Sequence, residues 1–184
     1  MAELFRQFFI YSFLGFLLEI AFARITHAQK QDRKCLLFLP LCPVYGLGAL
    51  AIVNLPMGIR QRPLLLFLFG ALAATAAEYA VDWFCDNFLG VRFWDYSSHV
   101  GNLNGRVCLL FSFFWGLLSL GITAWVHPLV LRLSGFVPPG WTFPVFLLFL
   151  TDALLSVWIL HATGTTNSLR WYTYFPTAKK KNGL

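Results

Sequence analysis

The chain has 184 residues, 58% hydrophobic, 18% aromatic and only 12% charged, with a net charge of +6. A soluble domain carries about one quarter charged residues, so this composition excludes an ordinary soluble enzyme. The basic excess falls in one loop and at the C-terminus, where it reports membrane orientation rather than nucleic-acid binding.

A helix crossing the hydrocarbon needs about 20 apolar residues. The length therefore fits an all-α integral membrane protein: one bundle of five spans, with no separate soluble domain. The first span covers residues 4–23. Phe8, Ser12, Gly15 and Glu19 recur at spacings of three and four, so they share one helical face. Lipid offers Glu19 no partner, so that face turns toward other helices. Ala21-Phe22-Ala23 resembles a signal-peptide cleavage site, but Glu3 sits beside Arg6 in the n-region and Glu19 lies close to the site. The segment reads as a retained span.

The loop 24–35 carries Arg24, Lys30, Arg33 and Lys34 against one acid, Asp32. Residues 36–55 are apolar but contain Pro40 and Pro43, followed by Gly46 and Gly48. Each proline removes a backbone donor, so this second segment is expected to be a kinked span or a re-entrant hairpin. Broken helices at membrane depth survive where they are buried in protein or line a cavity.

The third span is expected over 63–85. Gly70, Ala74 and Ala77 are small residues at packing spacing, and Glu78 and Asp82 lie four apart on one face, with Asp86 one turn on. The interval 92–108 is the longest polar stretch between apolar segments. It holds Arg92, Asp95, His99, Asn102, Asn104 and Arg106, and Asn104-Gly105 is a turn signal. An Asn here is expected to cap the helix that begins near Arg106.

The fourth span is expected over 107–127, with Cys108, Ser112, Gly116, Ser119, Thr123 and His127 forming a small-residue seam and Pro128 disturbing its far end. The fifth is expected over 142–162, with Asp152 at its middle. An interfacial tail, 163–184, follows, with Trp171, Tyr172, Tyr174 and Phe175 ahead of Lys179, Lys180 and Lys181.

Charge separates the two models for 36–55. Five crossings put ten Lys/Arg on the side of the 24–35 loop and four on the other, whereas a re-entrant second segment gives seven and seven. The positive-inside bias supports five spans, with the N-terminus outside and the C-terminus and the 86–106 loop in the cytoplasm.

Four of the eight acids fall inside expected spans: Glu19, Glu78, Asp82 and Asp152. A carboxylate there costs a few kcal/mol and persists when paired, hydrated or protonated. Such residues either line a cation, proton or polar-substrate path, or sit in internal pairs with Arg92 or Arg106 or in hydrogen bonds to a Ser, Tyr or Trp. Asp95, Asn102, Asn104 and Arg106 offer a headgroup or anion site, or else a lid whose groups satisfy one another. The four cysteines form no Cys-x-x-Cys pair, and no His stands at metal-ligand spacing, so no metal or cofactor is expected. No hydrolase motif and no Walker A sequence is present.

Cys42-Pro-Val-Tyr-Gly-Leu-Gly-Ala49, Glu78-Tyr79, Phe93-Trp-Asp-Tyr-Ser97, Asn102-Leu-Asn-Gly-Arg-Val-Cys-Leu109, Trp115-Gly116 and His127-Pro128 occur in this order. Over residues 5–130 the chain resembles the CmpB-type family, small bacterial membrane proteins designated ABC-transporter permeases of type IV. The resemblance implies a multi-pass protein of the inner, plasma membrane. The expected partners are the lipid bilayer and either a separate ATPase subunit or a second copy of the chain.

The favoured reading is a permease or transporter component with a polar, acidic intramembrane cavity capped by the 92–106 loop. Its binding candidates are Glu19, Tyr45, Glu78, Asp82, Asp95, Asn102, Asn104 and Arg106, and no residue is assigned a catalytic role. The first alternative is a lipid-handling membrane enzyme using Asp95, His99 and Arg106. The second is an interaction protein whose charges only hold the bundle together.

Overall fold

The computed structural model describes residues 1–27 and 34–174. Among these residues the regular structure is helical, apart from one isolated β-bridge. The helices are α1 (Ala2–Ile25), α2 (Pro43–Val53), the short α3 (Met57–Arg60), α4 (Pro63–Phe84), α5 (Leu109–Gly121), α6 (His127–Phe136) and α7 (Pro139–Thr163). A π-helical turn at Cys85–Leu89 extends α4, and another at Ile122–Val126 joins α5 to α6. Four helical stretches are long and apolar enough to cross a membrane: Ala2–Ile25, Pro63–Leu89, Leu109–Phe136 and Pro139–Thr163.

Side-chain bonds fix how the helices run. Ser134 donates to Glu3 at 2.7 Å and Arg6 to the Val137 carbonyl at 3.3 Å, so α1 starts beside the α6–α7 junction. Tyr11 meets His127 at 2.7 Å, which sets α1 antiparallel to the α5–α6 rod. Ser119 donates to the Leu66 carbonyl at 3.0 Å and Thr75 to Ser112 at 2.9 Å, so α4 and α5 are also antiparallel. Ser112 and Ser119 belong to the small-residue seam expected on the fourth span, and that seam packs on α4. The far end of α7 returns to α4, where His161 Nδ1 lies 3.0 Å from the Phe88 carbonyl oxygen. α1 and α4 thus both start at one end of the bundle, and residues 92–108 close the other, the cap end.

The second apolar segment departs from a helical span. Its helix α2 has 11 residues, which rise about 17 Å against a hydrocarbon core of about 30 Å. The stretch before it, residues 34–42, is irregular and bends repeatedly. Lys34 lies at the cap end against Trp171 and Tyr172, while Val53 clusters with Tyr11 and Val130 toward the opposite end. Irregular in its first half and helical in its second, the segment leads from the cap end toward the opposite end.

The backbone donors of residues 37–42 are accounted for. Leu37 N–H donates to Ser156 Oγ at 2.8 Å, and Phe38 N–H to the Asp152 carboxylate at 3.1 Å. Leu39 N–H donates to the same carboxylate at 2.7 Å. Leu41 N–H reaches the Leu39 carbonyl and Cys42 N–H the Ser12 carbonyl, each at 2.9 Å. Pro40 and Pro43 have no N–H to satisfy. Unsatisfied amides in a membrane interior each cost several kcal/mol, so Asp152 and Ser156 of α7 make the break possible.

The helical half is wedged between α1 and α4. A Cβ on Gly15 would stand 2.2 Å from Tyr45 Cβ, and one on Gly46 would stand 2.2 Å from Ser12 Oγ. The two glycines let α1 and α2 approach backbone to backbone. Beyond α5, Pro128 does not end the helix. The π turn just before it takes up the register change that a missing donor imposes, and the rod continues to Phe136. Large apolar side chains such as Leu68, Leu72, Phe113, Leu148 and Trp158 stand exposed around the bundle, as a lipid-facing surface requires. In the tail, short 3-10 turns cover Thr166–Leu169 and Trp171–Tyr174. The expectations on Phe175 and Lys179–Lys181, and on Lys30 and Arg33, fall outside the described residues.

Removing the Asp152 carboxylate leaves two partly buried amides without their acceptor, at about 1–3 kcal/mol each. Asp152→Ala is expected to destabilise the protein by about 2–5 kcal/mol in denaturant titration in detergent. Asp152→Asn, which keeps one acceptor oxygen, loses less. Equal, negligible losses in both would refute the capping role.

Candidate functional site

Residues 92–108 fold into a hairpin-like cap. Asn104 and Gly105 both adopt positive φ, +55° and +67°, the backbone pair that a tight two-residue reversal demands. Leu103 N–H donates to the Val107 carbonyl at 2.9 Å across the reversal, and Tyr96 N–H donates to the Gly105 carbonyl at 2.8 Å. Asn102 donates to the Ser97 and His99 carbonyls and accepts from Gly105 N–H. Asn104 donates to Tyr79 Oη at 3.1 Å. The expectation that an Asn caps the following helix is not met: α5 starts at Leu109 behind Cys108 with no side-chain cap, and both amides are spent within the cap and on α4.

Arg92 and Arg106 are brought back over the end of α4. Arg106 donates to Asp82 at 2.9 Å and to Asp86 at 2.8 Å, and Arg92 reaches the same Asp82 oxygen at 3.4 Å. The Asp82 side chain is fully buried. Arg106 also lies over the Tyr79 ring, 5.6 Å from its centroid, and Trp94 Nε1 donates to its carbonyl at 2.8 Å. Burial works against the Arg106 guanidinium, but its bonds to Asp86 and Asp82 outweigh it and hold the cation firmly protonated. Asp82, Asp86, Arg92 and Arg106 thus form a closed ionic knot that pins the cap to α4.

One turn deeper the chemistry changes. Glu78 accepts from Trp115 Nε1 at 2.9 Å and from Tyr96 Oη at 3.0 Å. Among the described residues no Lys or Arg lies within ion-pair distance of it. Glu19 accepts from Tyr45 Oη at 2.7 Å, a contact created by the close α1–α2 crossing. Burial and the adjacent Glu78 push the Tyr96 phenol well above its ordinary range, so it remains a donor.

Glu19, Tyr45, Glu78, Tyr96 and Trp115 sit on the wall of one cavity of about 860 Å³. Its other wall is apolar, from α1 (Leu18, Phe22) and the α5–α6 rod (Phe114, Leu117, Trp125). These five side chains are partly exposed on the outside of the bundle, so the cavity is a groove with an acidic, aromatic floor and greasy rims. Asp95 and His99 lie at its cap end.

The eight sequence candidates therefore separate. Glu19, Tyr45, Glu78 and Asp95 border the groove, whereas Asp82, Asn102, Asn104 and Arg106 build the cap and its knot. Sequence reasoning did not single out Tyr96 and Trp115 as site residues, although both stand in the Trp-Asp-Tyr-Ser and Trp-Gly pieces already noted. Their donor roles depend on which carboxylate they reach, and spacing alone does not give that. Asp95 is taken by Ser97 N–H, at 2.9 Å, and by the Ser97 hydroxyl, with Arg92 3.8 Å away. The Ser97 hydroxyl and amide hold its carboxyl below the usual range. No bond joins Asp95 to His99 among the described residues. The His99 ring instead meets Tyr96 edge-on at 5.7 Å, so the base–orienter pair of the enzyme alternative is not assembled.

A family profile described as "Putative ABC-transporter type IV" matches residues 6–159. Neither the curated proteins nor the solved structures contain a match to the chain.

Breaking one partner out of a buried ion pair costs about 3–5 kcal/mol. Asp82→Ala is therefore expected to lower stability by about that amount, measured as the shift of the detergent melting curve. Glu78→Gln, which keeps its size and one acceptor, is expected to lose clearly less. The reverse ranking would mean that the knot does not secure the cap.

Proposed function

The chain belongs to the ABC-transporter type IV family, and from that premise we propose that it is a multi-pass permease or transport component whose solute path includes the acidic groove. The observation that carries this reading is the coincidence of two features. One is a cavity of about 860 Å³ with two carboxylates in its floor. The other is a broken second segment that supplies Tyr45 to that floor. Discontinuous segments at membrane depth recur where transporters bind substrate, because irregular backbone persists only where protein or a cavity surrounds it.

In this reading residues 34–53 make a fifth crossing, irregular in its first half and helical in its second. The parity follows from α1 and α4 starting at the same end of the bundle. The charge asymmetry then puts the N-terminus outside and the cap and C-terminus in the cytoplasm of a plasma-membrane protein. The ionic knot makes the cap a fixed lid over the groove. Energy coupling falls to a separate ATPase subunit docking on the cytoplasmic face, since this sequence contains no Walker A motif. Self-association is the alternative partnership.

Two measurements test this. In proteoliposomes screened against cationic, neutral and anionic solutes, the wild type is expected to move at least one. Glu19→Gln with Glu78→Gln together should cut that rate by roughly tenfold or more, as expected when buried polar contacts to the solute are lost. Flux unaffected by the double substitution would overturn the groove as the path. For orientation, Val100→Cys, exposed on the cap, is expected to resist a membrane-impermeant maleimide in intact cells and to react after lysis. Labelling in intact cells would invert the topology.

A further inference from the structure

We propose that the groove binds a hydrophobic organic cation, a positively charged centre carrying apolar groups and no phosphate. The proposal rests on the permease reading only for the ligand's fate; the recognition argument stands on the groove alone.

The first consideration is charge. The chain carries +6 overall, yet the described residues lining the groove include Glu19, Glu78 and Asp95 and no Lys or Arg. Arg92 and Arg106, the nearest cations of the cap, are held in the knot with Asp82 and Asp86, and Arg92 also stands 3.8 Å from Asp95 at the groove's cap end. The bonds to Glu78 point the same way. Trp115 Nε1 can only donate, and Tyr96 Oη also donates to it. Both stabilise an anionic carboxylate without neutralising it, and Glu78 lies in a low-dielectric setting where a cation has most to offer.

The second consideration is the wall. Aromatic faces enclose the acids: Tyr45 and Trp115 stand with centroids 5.3 Å apart, and Tyr96 stacks on Phe111 at 4.7 Å. Ring faces attract cations by their quadrupoles, most strongly when both are out of water. The rims are apolar, so the ligand must carry apolar substituents of its own to replace the lipid contacts it displaces. The volume is that of a site for a drug-sized molecule.

The third consideration is what the groove lacks. A zwitterionic lipid headgroup places a phosphate beside its ammonium, and a phosphate asks for Arg, Lys or clustered amide donors. None of the described lining residues is Lys or Arg. The arrangement therefore favours a lone cation over a phospholipid headgroup.

The test is equilibrium dialysis of the full chain in maltoside micelles with tetraphenylphosphonium and, in parallel, tetraphenylborate, which has the same shape and the opposite charge. After subtraction of protein-free micelles, saturable phosphonium binding is expected, roughly tenfold or more tighter than borate. Glu78→Gln is expected to weaken it by roughly tenfold. Glu19→Gln, at a less buried position and so less exposed to folding failure, should weaken it in the same direction, with an unchanged melting curve showing that the fold is intact. Dodecyltrimethylammonium should displace the probe, and dodecylphosphocholine, which adds a phosphate, should not. Equal borate binding, wild-type affinity in Glu19→Gln, or equal displacement by the two amphiphiles would overturn the proposal. Phosphonium binding without flux of any solute would sustain this site and sink the permease reading. Flux of an anionic or neutral solute with no phosphonium binding would do the opposite.

Discussion

Residues 37–42 pass along the bundle without helical hydrogen bonds, with Leu37, Leu41 and Cys42 buried and Phe38 exposed, and the Asp152 carboxylate holds the amides of Phe38 and Leu39. The rest of the structure depends on this contact. In hydrocarbon a non-helical backbone must find every partner within the protein. Ser156, Asp152 and the Ser12 carbonyl supply them here, and the two prolines remove two donors from the requirement. With its first half so held, the segment can begin α2 at mid-depth rather than at the surface. Tyr45 then meets Glu19 across the Gly15–Gly46 crossing. An acid in the middle of α7 therefore determines the shape of a groove to which it contributes no side chain.

The four intramembrane acids divide by partner rather than by depth alone. Asp82 and Glu78 lie one turn apart on one face of α4. Asp82 is neutralised by two guanidinium groups, whereas Glu78 is held by an indole and a phenol. The cap decides the difference. Its Asn104-Gly105 reversal brings Arg106 back over the end of α4, and the segment before it places Tyr96 one level lower. The knot gives rigidity, and a charge closed off in this way has little left for a solute. Glu78 meets no Lys or Arg within ion-pair distance among the described residues and stands beside aromatic rings, and that is what a bound molecule can use.

Much of the architecture was legible in the residues. Apolar length marked three of the four long helices within a few residues of their ends, and the fourth runs past its expected end at 127 to Phe136. The Gly70–Ala74 and Ser112–Ser119 seams marked the α4–α5 contact, and Pro40, Pro43, Gly46 and Gly48 marked the break. Asn104-Gly105 marked the reversal. Pro128 misled, because a π turn just upstream absorbs the register change and lets the helix run on to Phe136. In the candidate site, the acids and Tyr45 were visible as types of residue in unusual places. Tyr96 and Trp115 were visible only as parts of motifs.

The sequence by itself determined that this is a helical membrane protein with a broken second segment, several acids within its spans and a basic, hairpin-forming cap. Those properties follow from apolar length, from proline and glycine chemistry and from the cost of charge in lipid, all of which are local. Only the tertiary structure decided which acid meets which partner: Asp152 with backbone amides, Asp82 with arginines, Glu78 with Trp115 and Tyr96, and Glu19 with Tyr45. A carboxylate accepts equally well from an amide, a guanidinium, an indole or a phenol. Its role is therefore set by the donor that packing brings into hydrogen-bond reach, and residues 10 to 114 positions apart in the chain are what packing brings together here.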